Sequence, residues 1–140
     1  MSTKMSGHCL CGEVTWRSNG PVLWAGHCHC ESCRRATASP ITSFFGVPRD
    51  GLVWRGERRK VLTSQGRVER SHCATCGTQM SYQFDGWPAE THLYAATLDD
   101  LTQFKPTEHF HFAEKVPWLE ISDTLLKHSG SSESNDPDAG

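Results

Sequence analysis

The chain has 140 residues, with 14 Lys and Arg against 16 Asp and Glu for a net charge of −2. It is sized for one domain and carries no overall attraction for nucleic acid or membranes. Apolar residues make up only 36%, a thin allowance for a core, and no apolar run approaches the ~18 residues of a membrane span.

In chain order, residues 1–6 lack apolar pattern and are expected to be a disordered end, with the folded domain over 7–128. The opening stretch contains no apolar segment of secretory-leader length. A reducing cytoplasm is therefore the expected location, where disulfides rarely persist. Val14 and Trp16 alternate with polar residues, Asn19-Gly20-Pro21 breaks that run, and 22–24 restarts it. Residues 30–37 have room for about two helical turns. Runs 41–47 and 52–54 read as strands around the hairpin-like turn signal Pro48-Arg49-Asp50-Gly51. Runs 60–63 and 67–72 flank Ser64-Gln65-Gly66, and 80–84 and 91–97 flank Asp85-Gly86-Trp87-Pro88. Residues 98–101 are a second short helical candidate. Phe110 and Phe112 then alternate with His109 and His111, and 129–140 are expected to form a disordered tail. Many short alternating runs between breakers predict an antiparallel all-β domain with few short helices.

The seven cysteines fall as Cys9-x-Cys11, Cys28-x-Cys30-x-x-Cys33 and Cys73-x-x-Cys76. Such spacing lets one tight turn present several thiolates to one ion, and the odd count argues against a disulfide framework. Zn²⁺ suits a thiolate set, and its structural sites are four-coordinate. Cys76-Gly77-Thr78 resembles a zinc-ribbon knuckle, whose glycine permits the turn. One pair supplies two ligands, so Cys73 and Cys76 need a second pair, and Cys9 and Cys11 provide it across 61 intervening residues. Cys28, Cys30 and Cys33 remain as a local set of three. Three ligands with one exchangeable position is the catalytic arrangement. Closure by His27, His29 or another side chain would instead make a second structural site, and spacing leaves both open.

Four stretches carry a family resemblance: GHCLCGEVTW (7–16), HCHCESCRRAT (27–37), VERSHCATCGTQM (68–80) and HFHFAEKVPWLEISDTLLKH (109–128). Together they resemble the glutathione-dependent formaldehyde-activating enzyme (GFA) family, which shares its domain with centromere protein V. The resemblance implies a β-tent of small antiparallel sheets stapled by zinc, with two Zn²⁺ per chain. It implies that Cys9, Cys11, Cys73 and Cys76 hold a structural zinc and that Cys28, Cys30 and Cys33 hold a catalytic one. The implied reaction is that of a carbon–sulfur lyase, joining formaldehyde and glutathione to S-(hydroxymethyl)glutathione or reversing it, or a related thiol–aldehyde reaction. One departure stands out: Ala38 occupies a position where the family often carries Gly.

Glutathione presents two carboxylates, and arginine grips carboxylates bidentately. Nine of the 14 basic residues and only three acids lie between Arg34 and Arg70. Arg34 and Arg35, directly after the three-thiolate cluster, are the expected substrate-anchoring pair. His27 and His29 are candidate proton donors. Trp16, Trp24, Trp54, Phe44 and Phe45 are expected on core and sheet faces, while Trp87 and Trp118, beside breakers, are candidates for a pocket rim. The competing class is a non-catalytic zinc-stapled module that uses the 34–70 stretch on a protein or nucleic-acid partner. The last forty residues weigh against nucleic acid, with three lysines against seven acids, and the aromatic–basic interleaving of nucleic-acid binders is missing.

Overall fold

The computed structural model describes residues 4–131, so the expectations for 1–3 and 132–140 lie outside the described residues. Two sheets form the molecule. The small one runs β1 (Met5–His8), β2 (Thr15–Ser18), β5 (Leu52–Arg55), antiparallel throughout. Met5 and Ser6, expected in the frayed end, instead pair with Ser18 and Arg17, and the Met5 side chain is buried. A lone methionine carries no periodicity, so sequence pattern had nothing to register there.

The second sheet has eight strands. In spatial order they are β11 (Leu126–Lys127), β10 (Glu108–Phe110), β3 (Trp24–Cys28), β4 (Thr42–Pro48), β9 (Glu90–Tyr94), β8 (Gln79–Phe84), β7 (Val68–Cys73) and β6 (Arg58–Thr63). From β3 to β6 every pairing is antiparallel, as the short alternating runs predict. At the other edge β10 lies parallel to both β3 and β11. That edge requires Gly26: a Cβ there would sit 2.6 Å from the Glu108 carbonyl oxygen and 2.7 Å from the Phe110 ring.

The 48–51 turn does not close a hairpin. It carries the chain from β4 in the large sheet to β5, which pairs with β2 in the small one and sets Trp54 opposite Trp16. A turn signal marks reversal but cannot name the strand that receives the chain. The 98–101 stretch is likewise not a helix; one 3₁₀ turn, Ala95–Thr97, precedes it and a second, Leu101–Gln103, begins at its last residue. The 30–37 expectation holds as α1 (Glu31–Thr37). That helix ends on Ala38, at φ 57° in the left-handed region. Glycine would take that conformation without a Cβ penalty, so Ala38 carries a strain that glycine would relieve. Ala38→Gly is expected to raise stability by roughly 1 kcal/mol, seen as a higher denaturant midpoint at unchanged slope.

Strand alternation in β4 divides the interior. Phe45 points into one core with Trp16, Met80, Leu93, Cys9 and Cys73. Its neighbour Phe44 points to the opposite side with Tyr82, Phe84, Tyr94 and Cys28, Cys30 and Cys33. Adjacent residues face opposite ways in a strand, so each cysteine group is built into its own apolar cluster. No helix among the described residues is long and apolar enough to cross a membrane.

Candidate metal centres and the adjoining cavity

The first group joins distant segments. Cys9 and Cys11 lie in the turn after β1, Cys73 ends β7, and Cys76 follows in the next turn. Their four sulfurs all lie within 4.8 Å of one another, with Cys9–Cys11 at 3.6 Å and Cys11–Cys73 at 3.7 Å. Four sulfurs at the ~2.3 Å bond length of tetrahedral zinc stand about 3.8 Å apart, whereas a disulfide needs about 2.05 Å. The spacing therefore fits a tetrahedral metal and no disulfide. Backbone amides converge on the sulfurs: Val14 N–H donates to Cys9 Sγ at 3.3 Å, and Thr75 and Cys76 N–H to Cys73 Sγ at 3.4 Å each. The Thr78 hydroxyl lies 3.2 Å from Cys76 Sγ and, with nearby amides, pulls that thiol down to about 5. Four crowded thiols cannot all ionise without a cation among them, and this is the chemistry of a metal cage.

The second group is local. Cys28 ends β3, Cys30 is the N-cap of α1, and Cys33 sits in its first turn. The Cys33 amide donates to Cys30 Sγ at 3.3 Å, so the cap is itself a thiol. The three sulfurs lie within 4.8 Å of one another, and among the described residues no histidine or carboxylate joins the group. Both histidines turn elsewhere. His27 Nδ1 meets Ser43 Oγ at 2.8 Å. His29, wholly buried, places Nε2 2.8 Å from His109 Nδ1, and His109 Nε2 lies 2.9 Å from Asp123 Oδ2. A carboxylate only accepts, so one donor order satisfies the chain: His109 donates to Asp123 and His29 donates to His109. Burial and the neighbouring His109 hold His29 down to about 4, so near neutral pH it carries no proton to give away as an imidazolium.

Arg70, on β7, was visible in the sequence only as the last member of a basic stretch. It is buried, places Nη2 3.7 Å from Cys33 Sγ and 3.4 Å from Ser32 Oγ, and stacks its guanidinium 4.9 Å from the Tyr82 ring centroid. Among the described residues no carboxylate pairs with it, so its charge is balanced by sulfur. Contacts from Cys28 and Cys30, and then the Arg70 charge, hold the Cys33 thiol well below its ordinary value. Arg70→Met is expected to raise the pH at which Cys33 ionises in metal-free protein by about a unit. Site-resolved alkylation across pH would show the shift, and an unchanged profile would contradict the pairing.

The expected anchors sit apart from this centre. Arg34 donates from Nε to the His29 carbonyl at 3.3 Å. Arg35 is exposed, pairs with Glu31 one helical turn away at 2.8 Å, and borders a separate groove beside Val61 and Thr63. Neither lines the cavity onto which Cys28 and Cys33 open. That cavity measures about 370 Å³, and Trp24, Phe44, Tyr82, Trp87 and Phe110 supply its aromatic walls. The rim expectation thus holds for Trp87, whereas Trp118 is 70% exposed and lies outside it.

Comparison with known proteins agrees with this architecture. A family model described as glutathione-dependent formaldehyde-activating enzyme matches residues 4–114, a span holding all seven cysteines. An uncharacterized lyase of Schizosaccharomyces pombe is 28% identical over 78 residues, 56% of each chain, so the chain spans about half the length of that curated relative. A crystal structure of a Rhodobacter sphaeroides protein resembles this fold with a TM-score of 0.56 at 25% identity, covering 68% of this chain and 88% of that one.

Proposed function

The chain belongs to the glutathione-dependent formaldehyde-activating enzyme family, and from that premise we propose that it is a zinc-dependent carbon–sulfur lyase acting on thiol–aldehyde adducts. Its reference reaction is the union of glutathione with formaldehyde to S-(hydroxymethyl)glutathione, or the reverse. One observation carries the reading: the four-cysteine group offers four sulfurs at tetrahedral spacing, whereas the three-cysteine group, with no fourth donor among the described residues, borders a cavity.

In this reading Cys9, Cys11, Cys73 and Cys76 hold a structural zinc, and Cys28, Cys30 and Cys33 hold a second one. Bound by three thiolates, that second zinc supplies Lewis acidity at one exchangeable position, where a thiol ionises more readily or a carbonyl oxygen is polarised. The protein's own groups do the rest. Arg70 offsets the net negative charge of a three-thiolate centre from within the core. The His29–His109–Asp123 chain ties the cysteine-bearing turn to the segment after β10, holding the loop in place. The aromatic walls confine the two reactants together beside the sulfurs, which lowers the entropic part of the barrier.

The test is exchange NMR on labelled formaldehyde and glutathione with zinc-loaded protein. Interconversion of free and adducted formaldehyde should accelerate in proportion to protein concentration. No acceleration with any thiol, in protein carrying two zincs per chain, would overturn the reading and favour a binding module.

A further inference from the structure

The cavity and glutathione do not match in charge. Five aromatic rings line it, and besides Cys28, Cys33 and Tyr82 the ionisable groups on its walls are Glu90, Glu108, His92 and His111. Among the described residues no lysine or arginine lines it. Both glutamates are committed to neighbours: Glu90 accepts from Trp24 Nε1 at 3.0 Å and lies 2.6 Å from His92 Nε2, and Glu108 lies 2.8 Å from His128 Nε2. Although burial opposes it, His92 and Trp24 hold the Glu90 carboxyl below its ordinary value, so the carboxylate stays ionised within its pair with His92. His111 is likewise paired with Glu114, at 3.1 Å. A ligand with two carboxylates would place them beside these acids with no described lysine or arginine on the walls to receive them, and a carboxylate left unpaired on binding is costly.

Aromatic surface, by contrast, is well provided for. The His92 ring stacks with Tyr82 at 5.3 Å and with Trp87 at 5.4 Å, and Trp24 stands edge-on to Phe110 at 5.4 Å. Rings in both orientations around one space are suited to a ring-bearing guest.

We propose that this cavity takes a low-molecular-weight thiol with an uncharged aromatic body, together with its aldehyde adduct, in preference to glutathione. The proposal rests on the thiol–aldehyde reading above and names its substrate class. For benzyl mercaptan and formaldehyde the step is an addition: the sulfur lone pair forms the S–C bond and the C=O π bond breaks. The thiol proton ends on the former carbonyl oxygen, giving the S-hydroxymethyl thioether with no change of redox state.

The experiment uses the zinc-loaded full chain. Calorimetry compares benzyl mercaptan, glutathione and glutathione diethyl ester, and exchange NMR follows each with formaldehyde. Benzyl mercaptan should bind at least tenfold more tightly than glutathione, and the diethyl ester more tightly than the free acid. Trp87→Ala should weaken benzyl mercaptan binding about tenfold and narrow its advantage over glutathione. Glutathione binding as tightly as benzyl mercaptan, or losing affinity on esterification, would overturn the proposal whatever the rates. Preferential binding of benzyl mercaptan without faster exchange would support the cavity's specificity and sink the lyase reading instead.

Discussion

Cys73→Ser is expected to unfold the domain. Cys73 is 1% exposed, packs in the core with Trp16 and Phe45, and lends its sulfur to the group that joins the turn after β1 to the end of β7. A structural zinc in small peptides is worth on the order of 10 kcal/mol of folding free energy, against about 5–15 kcal/mol for a whole domain. Loss of one ligand therefore removes a large part of the margin, and insoluble protein or a thermal midpoint lower by more than about 15 °C is the expected result. Cys11→Ser separates ligation from packing, because Cys11 is exposed and its sulfur meets the buried core at the Cys9 and Cys73 sulfurs. It should fall nearly as far as Cys73→Ser. A Cys11→Ser protein with unchanged midpoint and metal content would show that the four sulfurs are not a structural site.

Cys30→Ser should behave in the opposite way. Cys30 caps α1 through its sulfur, and serine is among the preferred N-cap residues, so the helix keeps its start. The expected cost to folding is about 1–2 kcal/mol, whereas the metal content should drop from two to one per chain. Thiol–aldehyde exchange should fall to the uncatalysed rate. Retained exchange in a one-metal protein would separate the three-cysteine group from the chemistry. Together the two substitutions divide the cysteines by consequence: one set answers in stability, the other in rate.

Much of the domain was legible as pattern. Alternation and breakers located most strands, because a half-buried strand must alternate and a reversal needs turn residues. The cysteine spacing also divided the thiols into four and three, and the sulfurs gather in those two groups. Strand β1 was missed because its buried anchor, Met5, is a single apolar residue held by Gly7 packing under the Trp16 indole. The hairpin-like signal at 48–51 bends the chain by local chemistry that does not choose its partner strand. The parallel edge depends on an approach of β10 to Gly26 from about eighty residues away, a contact that no local window contains.

The surroundings of the second centre were the least legible. Arg34 and Arg35 adjoin the cysteines in sequence, but the helix turns one to the His29 carbonyl and the other to solvent. Arg70 reaches Cys33 from 37 residues away because β7 brings it beneath the helix start. The composition and cysteine spacing by themselves determined an all-β chain with two thiol groups suited to metal, because thiolates that share an ion must be close along the chain or arrive in pairs. Only the tertiary structure decided which charge faces the sulfurs, that His29 turns away from them, and that the adjoining cavity is aromatic, with no described lysine or arginine on its walls. Those properties come from side chains that distant strands bring together, and their sequence separation carries no trace of that meeting.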